Sequence, residues 1–117
     1  MLSLSPNTRI YLHVPPTDMR KSFDGLSGLV RSAFGMDPLG GSWFLFLNRR
    51  RDRIKILAWD RDGFILVYKR LESGTFENLQ SGDNSATLEL DATQLILLLN
   101  GVTIASAKRR PRYCKVG

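Results

Sequence analysis

Hydrophobic residues fall into three short runs in the middle of the chain, separated by polar turns. The runs span residues 42–48, 53–60 and 64–71 and are rich in the aromatic and β-branched residues that strands favour. The connections between them are short, and the second contains Asp62-Gly63, a dipeptide typical of hairpin turns. This pattern predicts an antiparallel β-meander over about residues 42–71. Neighbouring positions within the runs are apolar on both alternating faces, so we expect other segments to cover part of both faces of the sheet.

The segment before the meander predicts one strand and one helix. Residues 9–14 form a short β-prone run that stops at Pro15-Pro16, because proline cannot donate to a strand ladder. From residue 18 onward the apolar positions recur at spacings of four and three residues, which places them on one face of a helix over about residues 18–34. Thr17 is its predicted N-cap and Gly35 its predicted end.

The segment after the meander predicts a loop, a short strand at residues 87–90 and a second helix over about residues 91–100. Asp91 and Gln94 have the spacing of a capping box, and Gly101 follows the last apolar residue of the helix. The expected architecture is therefore a single α+β domain over residues 1–107, followed by a basic C-terminal tail over residues 108–117.

Length and composition narrow the class of protein. The chain has 117 residues, of which 43% are hydrophobic, enough for one core and too few residues for a second domain. Even the longest apolar runs, such as Leu95 to Leu99, are far shorter than a membrane-spanning helix, and the first residues do not look like a secretory signal. We therefore expect a cytoplasmic protein that neither binds a membrane nor needs a cofactor.

Charge is distributed unevenly along the chain. The formal net charge is +6. Residues 1–71 carry 12 basic and 6 acidic side chains, residues 72–107 carry five acidic and no basic ones, and residues 108–117 carry five basic and no acidic ones. Such blocks indicate a basic surface, an acidic surface and a basic tail, each with its own partner preference.

The predicted meander collects basic side chains at one end of the sheet. In antiparallel strands the end of the first, the start of the second and the end of the third lie at the same edge, and Asp60 and Asp62 belong to the opposite edge. Guanidinium groups match phosphate oxygens and stay charged at any working pH. The alternative is a solvated turn that only keeps the protein soluble. The candidate nucleic-acid-binding residues are Arg49, Arg50, Arg51, Arg53, Lys55, Lys69 and Arg70, with Lys108, Arg109, Arg110 and Arg112 of the tail.

Catalytic chemistry has little support in the sequence. The single histidine, His13, lies in a predicted strand without a local motif, and the single cysteine, Cys114, lies in the tail, a poor place to hold a nucleophile. One histidine and one cysteine also exclude an internal disulfide and a Cys/His zinc site. Glycine residues 40–41 lack the lysine of a P-loop. We expect no catalytic, cofactor-binding or metal-binding residues, no small-molecule substrate, and no enzymatic activity.

Several ordered motifs closely resemble one family. They are residues 18–26 (DMRKSFDGL), residues 44–57 (FLFLNRRRDRIKIL) and residues 69–76 (KRLESGTF). This family is the small accessory protein, called TnpB or the second open reading frame, of bacterial insertion sequences of the IS-sixty-six type. The resemblance implies a non-enzymatic role in DNA transposition beside a larger transposase that carries the catalytic residues.

Two kinds of partner follow from the resemblance and the charge pattern together. The basic sheet end is expected to touch DNA at the ends of the insertion sequence, while the transposase or another protein encoded by the element contacts other surfaces. Alternatives are a protein adaptor that never touches DNA and an RNA-binding regulator of the element's expression. The candidate partner-binding residues are Asp18, Arg20, Lys21, Asp24, Glu72 and Glu77.

Overall fold

A computed structural model describes residues 4–104 and 108–109 of the chain. The strands of the main sheet are β1 (Ile10–His13), β2 (Trp43–Leu47), β3 (Arg53–Asp60), β4 (Gly63–Arg70) and β5 (Thr87–Leu90). The helices are α1 (Phe23–Leu29), which continues as the π-helical segment Val30–Phe34, and α2 (Ala92–Asn100). Two short strands, β6 (Val102–Thr103) and β7 (Lys108–Arg109), pair with each other.

The main sheet has five strands in the order β4-β3-β2-β1-β5. Strands β2, β3 and β4 form the predicted antiparallel meander, with Arg53 opposite Arg70 at one end and Asp60 opposite Gly63 at the other. Strand β1 inserts between β2 and β5, parallel to β2 and antiparallel to β5. The predicted single-domain α+β fold is confirmed, and the position of β1 makes its sheet a mixed one.

Each face of the sheet carries its own buried cluster. This explains why the central strands are apolar at consecutive positions, since neighbouring residues of a strand point to opposite faces. The cluster on the α1 face contains Leu26, Val30, Phe44, Phe46 and Leu57. The cluster on the α2 face includes Leu45, Leu47, Ile54, Ile56, Phe76, Leu95 and Leu98.

Helix α1 begins at Phe23, later than the sequence predicts, and Thr17 is not its N-cap. The residues before it bond elsewhere. The backbone N–H of Thr17 donates to the carbonyl of Leu47 (2.7 Å), and the carboxylate of Asp18 accepts the backbone N–H of Arg20 (2.9 Å). Because the Leu47 carbonyl of β2 and the Asp18 carboxylate accept these two N–H groups, residues 17–22 form a non-helical connection across the end of the sheet.

Lys55 is the residue that holds this connection in place. It lies on β3, and its ammonium donates to the carbonyls of Met19 (2.8 Å) and Lys21 (2.7 Å). In a helix starting at residue 18 those carbonyls would accept intrahelical N–H groups. Here they accept hydrogen bonds from Lys55, which lies 36 positions after Met19 and 34 positions after Lys21. The early helix start predicted from periodicity is therefore wrong.

Helix α2 has the predicted N-terminus. The carboxylate of Asp91 accepts the N–H of Gln94 (2.7 Å), and the Gln94 side chain accepts the N–H of Asp91 (2.9 Å). This reciprocal pair is a capping box. Gly101 ends the helix with φ 78°, a left-handed conformation that glycine adopts without strain.

His13 is buried at the carboxyl end of β1 with only 8% of its surface exposed. Its ring lies 5.5 Å from that of Phe34 and 6.2 Å from that of Phe46. The Nδ1 atom has no hydrogen-bond partner among the described residues. Burial lowers the pKa of His13 below its ordinary value of 6.5, because the apolar surroundings disfavour the charged imidazolium.

This burial predicts that acidification weakens the fold. Between pH 6.5 and the lowered folded-state pKa, the unfolded chain binds a proton that the folded protein does not, so stability is complete above pH 6.5 and falls as the pH drops through that window. The slope is at most about 1.4 kcal/mol per pH unit. Urea unfolding at pH 7.5 and 5.5 measures it. The variant His13→Leu should show a flatter dependence, and an equal loss of stability in both proteins would contradict the assignment to His13.

The predicted basic tail falls largely outside the described residues. Lys108 and Arg109 form β7, with Thr103 opposite Lys108 and Val102 opposite Arg109. Arg110 and Arg112 lie beyond the described part of the chain.

Candidate nucleic-acid interface

The connection between β2 and β3, which we call the arginine turn (residues 48–52), is organised by the Asn48 side chain. Its Oδ1 accepts the backbone N–H groups of Asp52 (3.1 Å) and Arg53 (3.1 Å). Its Nδ2 donates to the carboxylate of Asp52 (2.6 Å), and this bond lowers the pKa of Asp52. The Asn48 amide, at the start of the turn, therefore bonds both the last residue of the turn and the first residue of β3.

The arginine turn is also tied to the chain that follows β4. The N–H of Leu71 donates to the carbonyl of Asp52 (2.7 Å), and the N–H of Phe76 donates to the carbonyl of Arg51 (2.7 Å). Phe76 and Leu71 are both buried in the α2-face cluster. The turn is thus anchored through its backbone to the hydrophobic core, which leaves the side chains of Arg49 and Arg50 free for other contacts.

The first two arginines of the turn project into solvent. Arg49 and Arg50 are exposed, and neither forms an ion pair or a side-chain hydrogen bond with another described residue. Arg51 differs, because its backbone has φ 56° and its side chain is half-buried. Three consecutive arginines therefore divide into two exposed cations and one directed inward.

The strand ends add a second pair of arginines beside the turn. Arg53 and Arg70 are direct cross-strand neighbours, and like charges in that position repel. Glu72 offsets the repulsion by binding Arg70 (2.9 Å), and the guanidinium of Arg53 donates to the hydroxyl of Tyr68 (3.0 Å). This hydrogen bond raises the pKa of Arg53. The tyrosine is neutral, and the carboxylates of Asp52 and Glu72 attract the Arg53 guanidinium without forming an ion pair with it among the described residues.

Lys69 and Lys55 do not join the exposed arginines. Lys69 lies opposite Ile54, on the α2 face of the sheet, and its ammonium contacts the carbonyl of Leu99 (3.4 Å) near the end of α2. Lys55 is only 5% exposed. Besides its two carbonyl partners, its ammonium lies 4.6 Å from the centre of the Tyr68 ring, within cation–π range.

The candidate partner residues form one group near α1 and two separate positions elsewhere. Arg20 binds Asp18 through bonds of 2.7 to 3.1 Å that hold the pKa of the Asp18 carboxyl at about 2. Lys21 and Asp24 are exposed nearby. Glu77, by contrast, accepts the backbone N–H of Ile104 (2.7 Å).

The acidic stretch of the sequence does not remain together in the fold. Glu72 lies beside Arg70 at the basic end of the sheet. Glu89 pairs with Arg9 (3.4 Å) on the far edge, and Asp91 caps α2. Tertiary structure therefore divides a five-carboxylate block into unrelated local roles.

Sequence reasoning missed two residues of this site. Asn48 organises the turn and Tyr68, with 47% of its surface exposed, touches both Arg53 and Lys55. Alternation along β4 could have placed Tyr68 on the same face as Arg70, two residues away. An asparagine at the first position of a polar turn is a known turn signal.

Residues 4–104 and 108–109 contain no group of three or more potential metal ligands. In the same part of the chain, neither helix has the length and apolar character required to cross a bilayer.

The fold and site describe a small α+β protein whose basic, backbone-anchored turn lies at one end of a mixed sheet. The family described as "IS66 Orf2 like protein" matches residues 8–109. The chain belongs to this family, and it is a transposition-associated accessory protein of the IS66 type.

Two relatives come from Sinorhizobium fredii (strain NBRC 101917 / NGR234). "Uncharacterized protein y4jC" is 36% identical over 111 residues, covering 95% of this chain and 93% of the relative. "Uncharacterized protein y4hO" is 30% identical over 117 residues and covers both chains completely. No solved structure matches the chain.

Proposed function

We propose that the protein is a non-enzymatic factor that binds the DNA backbone at the ends of its insertion sequence through the arginine turn. The observation that carries this proposal is the pair Arg49 and Arg50, two exposed guanidinium groups that form no ion pair among the described residues, although Asp52 attracts Arg50 at longer range. Arg53 and Arg70 extend the same basic surface along the strand ends.

The construction of the turn favours binding of a polyanion. Adjacent cations repel each other in the free protein, and phosphates relieve that repulsion. The Asn48 bonds and the two backbone bonds to residues 71 and 76 hold the turn in shape, so little conformational entropy is lost on binding. Counter-ions released from the DNA supply the remaining driving force.

The test is the salt dependence of binding to duplex DNA from the insertion-sequence ends. Four phosphate contacts predict a log–log slope of about −3.6, and the double variant Arg49→Ala/Arg50→Ala should reduce it to about −1.8. The control Arg31→Ala/Arg61→Asn removes the same charge from exposed positions outside the turn, and asparagine tolerates the positive φ of residue 61 (58°). Equal slopes for the two double variants would contradict the proposal.

A second candidate function is docking of the transposase on residues 18–24. The fold holds this segment by two backbone carbonyls, those of Met19 and Lys21. Asp18 binds Arg20 and Met19 packs against the α1-face cluster, whereas the side chains of Lys21 and Asp24 are exposed. Such a surface suits a partner with complementary charges.

Co-purification with the transposase after nuclease treatment separates the two functions. A pure adaptor would retain the transposase, fail to bind DNA, and lose the transposase on the charge reversal Lys21→Glu/Asp24→Lys. A DNA-binding factor would bind DNA as an isolated protein, with the slope change given above. Preferential competition by RNA of the same length would instead favour regulation of the element's expression.

A further inference from the structure

A cavity of about 360 Å³ lies beside the arginine turn, at the end of the sheet where the parallel strands β1 and β2 finish. Four segments form its walls: the end of β1 with the prolines after it, the end of β2 with the arginine turn, and two stretches of the loop before β5. They are residues 12–16, 47–51, 78–80 and 84–86, with residues 13 and 50 not in the lining. This volume lies within the range of small-molecule sites.

The lining combines cations and amides with an apolar wall. Its cationic residues are Arg49 and Arg51, and its amide-bearing residues are Asn48, Asn78, Gln80 and Asn84. No aspartate or glutamate belongs to the lining that the structure describes. A cavity with two cations and no carboxylate favours an anionic ligand, and the amides can form directed hydrogen bonds with an uncharged portion.

Arg51 provides a second, independent observation. Its Nε atom is buried and has no hydrogen-bond acceptor among the described residues, an arrangement that is costly for a charged donor. Its backbone lies in the left-handed region, with φ 56°. The N–H of Arg51 donates to the Asn48 carbonyl (3.1 Å), and its own carbonyl accepts the N–H of Phe76. The fold thus maintains a strained backbone at a half-buried arginine whose Nε lacks an acceptor, and strained backbone is common at ligand sites.

We propose that this cavity binds one phosphorylated nucleotide unit, whose phosphate accepts hydrogen bonds from Arg51 and Arg49 while its base or sugar contacts the apolar wall and the amides. Two sources share this chemistry, the 5′-phosphorylated end of a single DNA strand and a free nucleotide. The inference rests on the proposed function in one respect, since Arg49 belongs both to the duplex-binding turn and to the cavity. The two binding modes differ because the nucleotide enters the cavity, whereas the duplex lies across the exposed turn.

Calorimetric titration with thymidine 5′-monophosphate tests the cavity. We expect the nucleotide to bind at least about tenfold more tightly than thymidine or inorganic phosphate, since charged hydrogen bonds and the cavity wall both contribute. The variant Arg51→Asn, which tolerates positive φ, should weaken nucleotide binding at least about tenfold. Equal binding of nucleotide and thymidine, equal binding of nucleotide and inorganic phosphate, or an unchanged affinity in Arg51→Asn would each overturn the proposal.

A second variant separates loss of the binding site from loss of the fold. Ala86 is exposed on the cavity wall, and its carbonyl, which accepts the N–H of Val14 (2.8 Å), does not depend on the side chain. Ala86→Phe should fill the cavity, retain every charge and abolish nucleotide binding. Nucleotide binding that survives this variant would contradict the location.

The same proteins distinguish this inference from the duplex proposal. Arg50 does not line the cavity, so Arg50→Ala should weaken duplex binding and leave nucleotide affinity within about twofold. Duplex binding without nucleotide binding would overturn only the cavity inference, and the reverse would overturn only the duplex proposal. Competition by a 5′-phosphorylated oligothymidylate, but not by its unphosphorylated form, would identify a strand end as the source. Competition by neither oligonucleotide would identify a free nucleotide.

Discussion

Replacing Lys55 with methionine is expected to destabilise the protein by about 2–3 kcal/mol. The methionine retains the apolar stem but leaves the carbonyls of Met19 and Lys21, which form part-buried bonds, without their donor, and an acceptor left unpaired costs about 1–3 kcal/mol. Loss of the cation–π contact with Tyr68 adds to this, and removal of a buried charge offsets part of it. The free energy of unfolding in urea measures the net effect.

The structure also predicts where Lys55→Met acts. Residues 17–22 should exchange their amide hydrogens faster, because Lys55 is what holds this connection to β3. Lys21→Met is the matched control, since its side chain is exposed and only its backbone carbonyl is used. Similar stabilities for the two variants would contradict the anchoring role. A folded Lys55→Met protein should keep the salt slope of the wild type, because the buried ammonium does not reach DNA.

Replacing Asn48 with alanine is expected to cost about 2 kcal/mol and to weaken duplex binding about tenfold. The substitution removes the acceptor for two backbone N–H groups and the donor to Asp52. The turn then fluctuates, and binding must order residues that the native turn holds in place, at roughly 1–2 kcal/mol for each residue. The arginines themselves are retained, so the salt slope should stay near that of the wild type.

The combination of weaker binding with an unchanged slope identifies a positioning role. Loss of a phosphate contact would instead reduce the slope, as expected for the Arg49/Arg50 variant. Asn7→Ala serves as the control, because Asn7 is exposed and makes no side-chain hydrogen bond with the described residues. Stability and affinity within error of that control would rule out Asn48 as the organiser of the turn.

The meander could be predicted because its signals are local. Strand-forming runs, short polar connections and an Asp-Gly pair act over a few residues, and so does the capping box of α2. The basic end of the sheet followed from antiparallel geometry alone, which brings Arg53 and Arg70 together whatever surrounds them.

The start of α1 could not be predicted because its cause is distant in the chain. Periodicity places Met19 on the apolar face of a helix, yet its carbonyl accepts a hydrogen bond from Lys55 of the neighbouring sheet. The same contact explains why Lys55, which lies one step inside the basic edge of the sheet, is buried. Nothing local separates Lys55 from Lys69, and only the segment packed over each residue decides its exposure.

The sequence by itself determined the class of fold, the basic end of the sheet and the family, because short-range patterning and ordered motifs carry that information. Tertiary structure decided which of the three consecutive arginines are exposed and which one is half-buried. Arg49 and Arg50 are exposed, while Arg51, with a positive φ and a carbonyl bonded to the N–H of Phe76, is half-buried with its Nε enclosed. The physical reason is that a turn's backbone conformation depends on bonds to residues far along the chain, and side-chain direction follows the backbone.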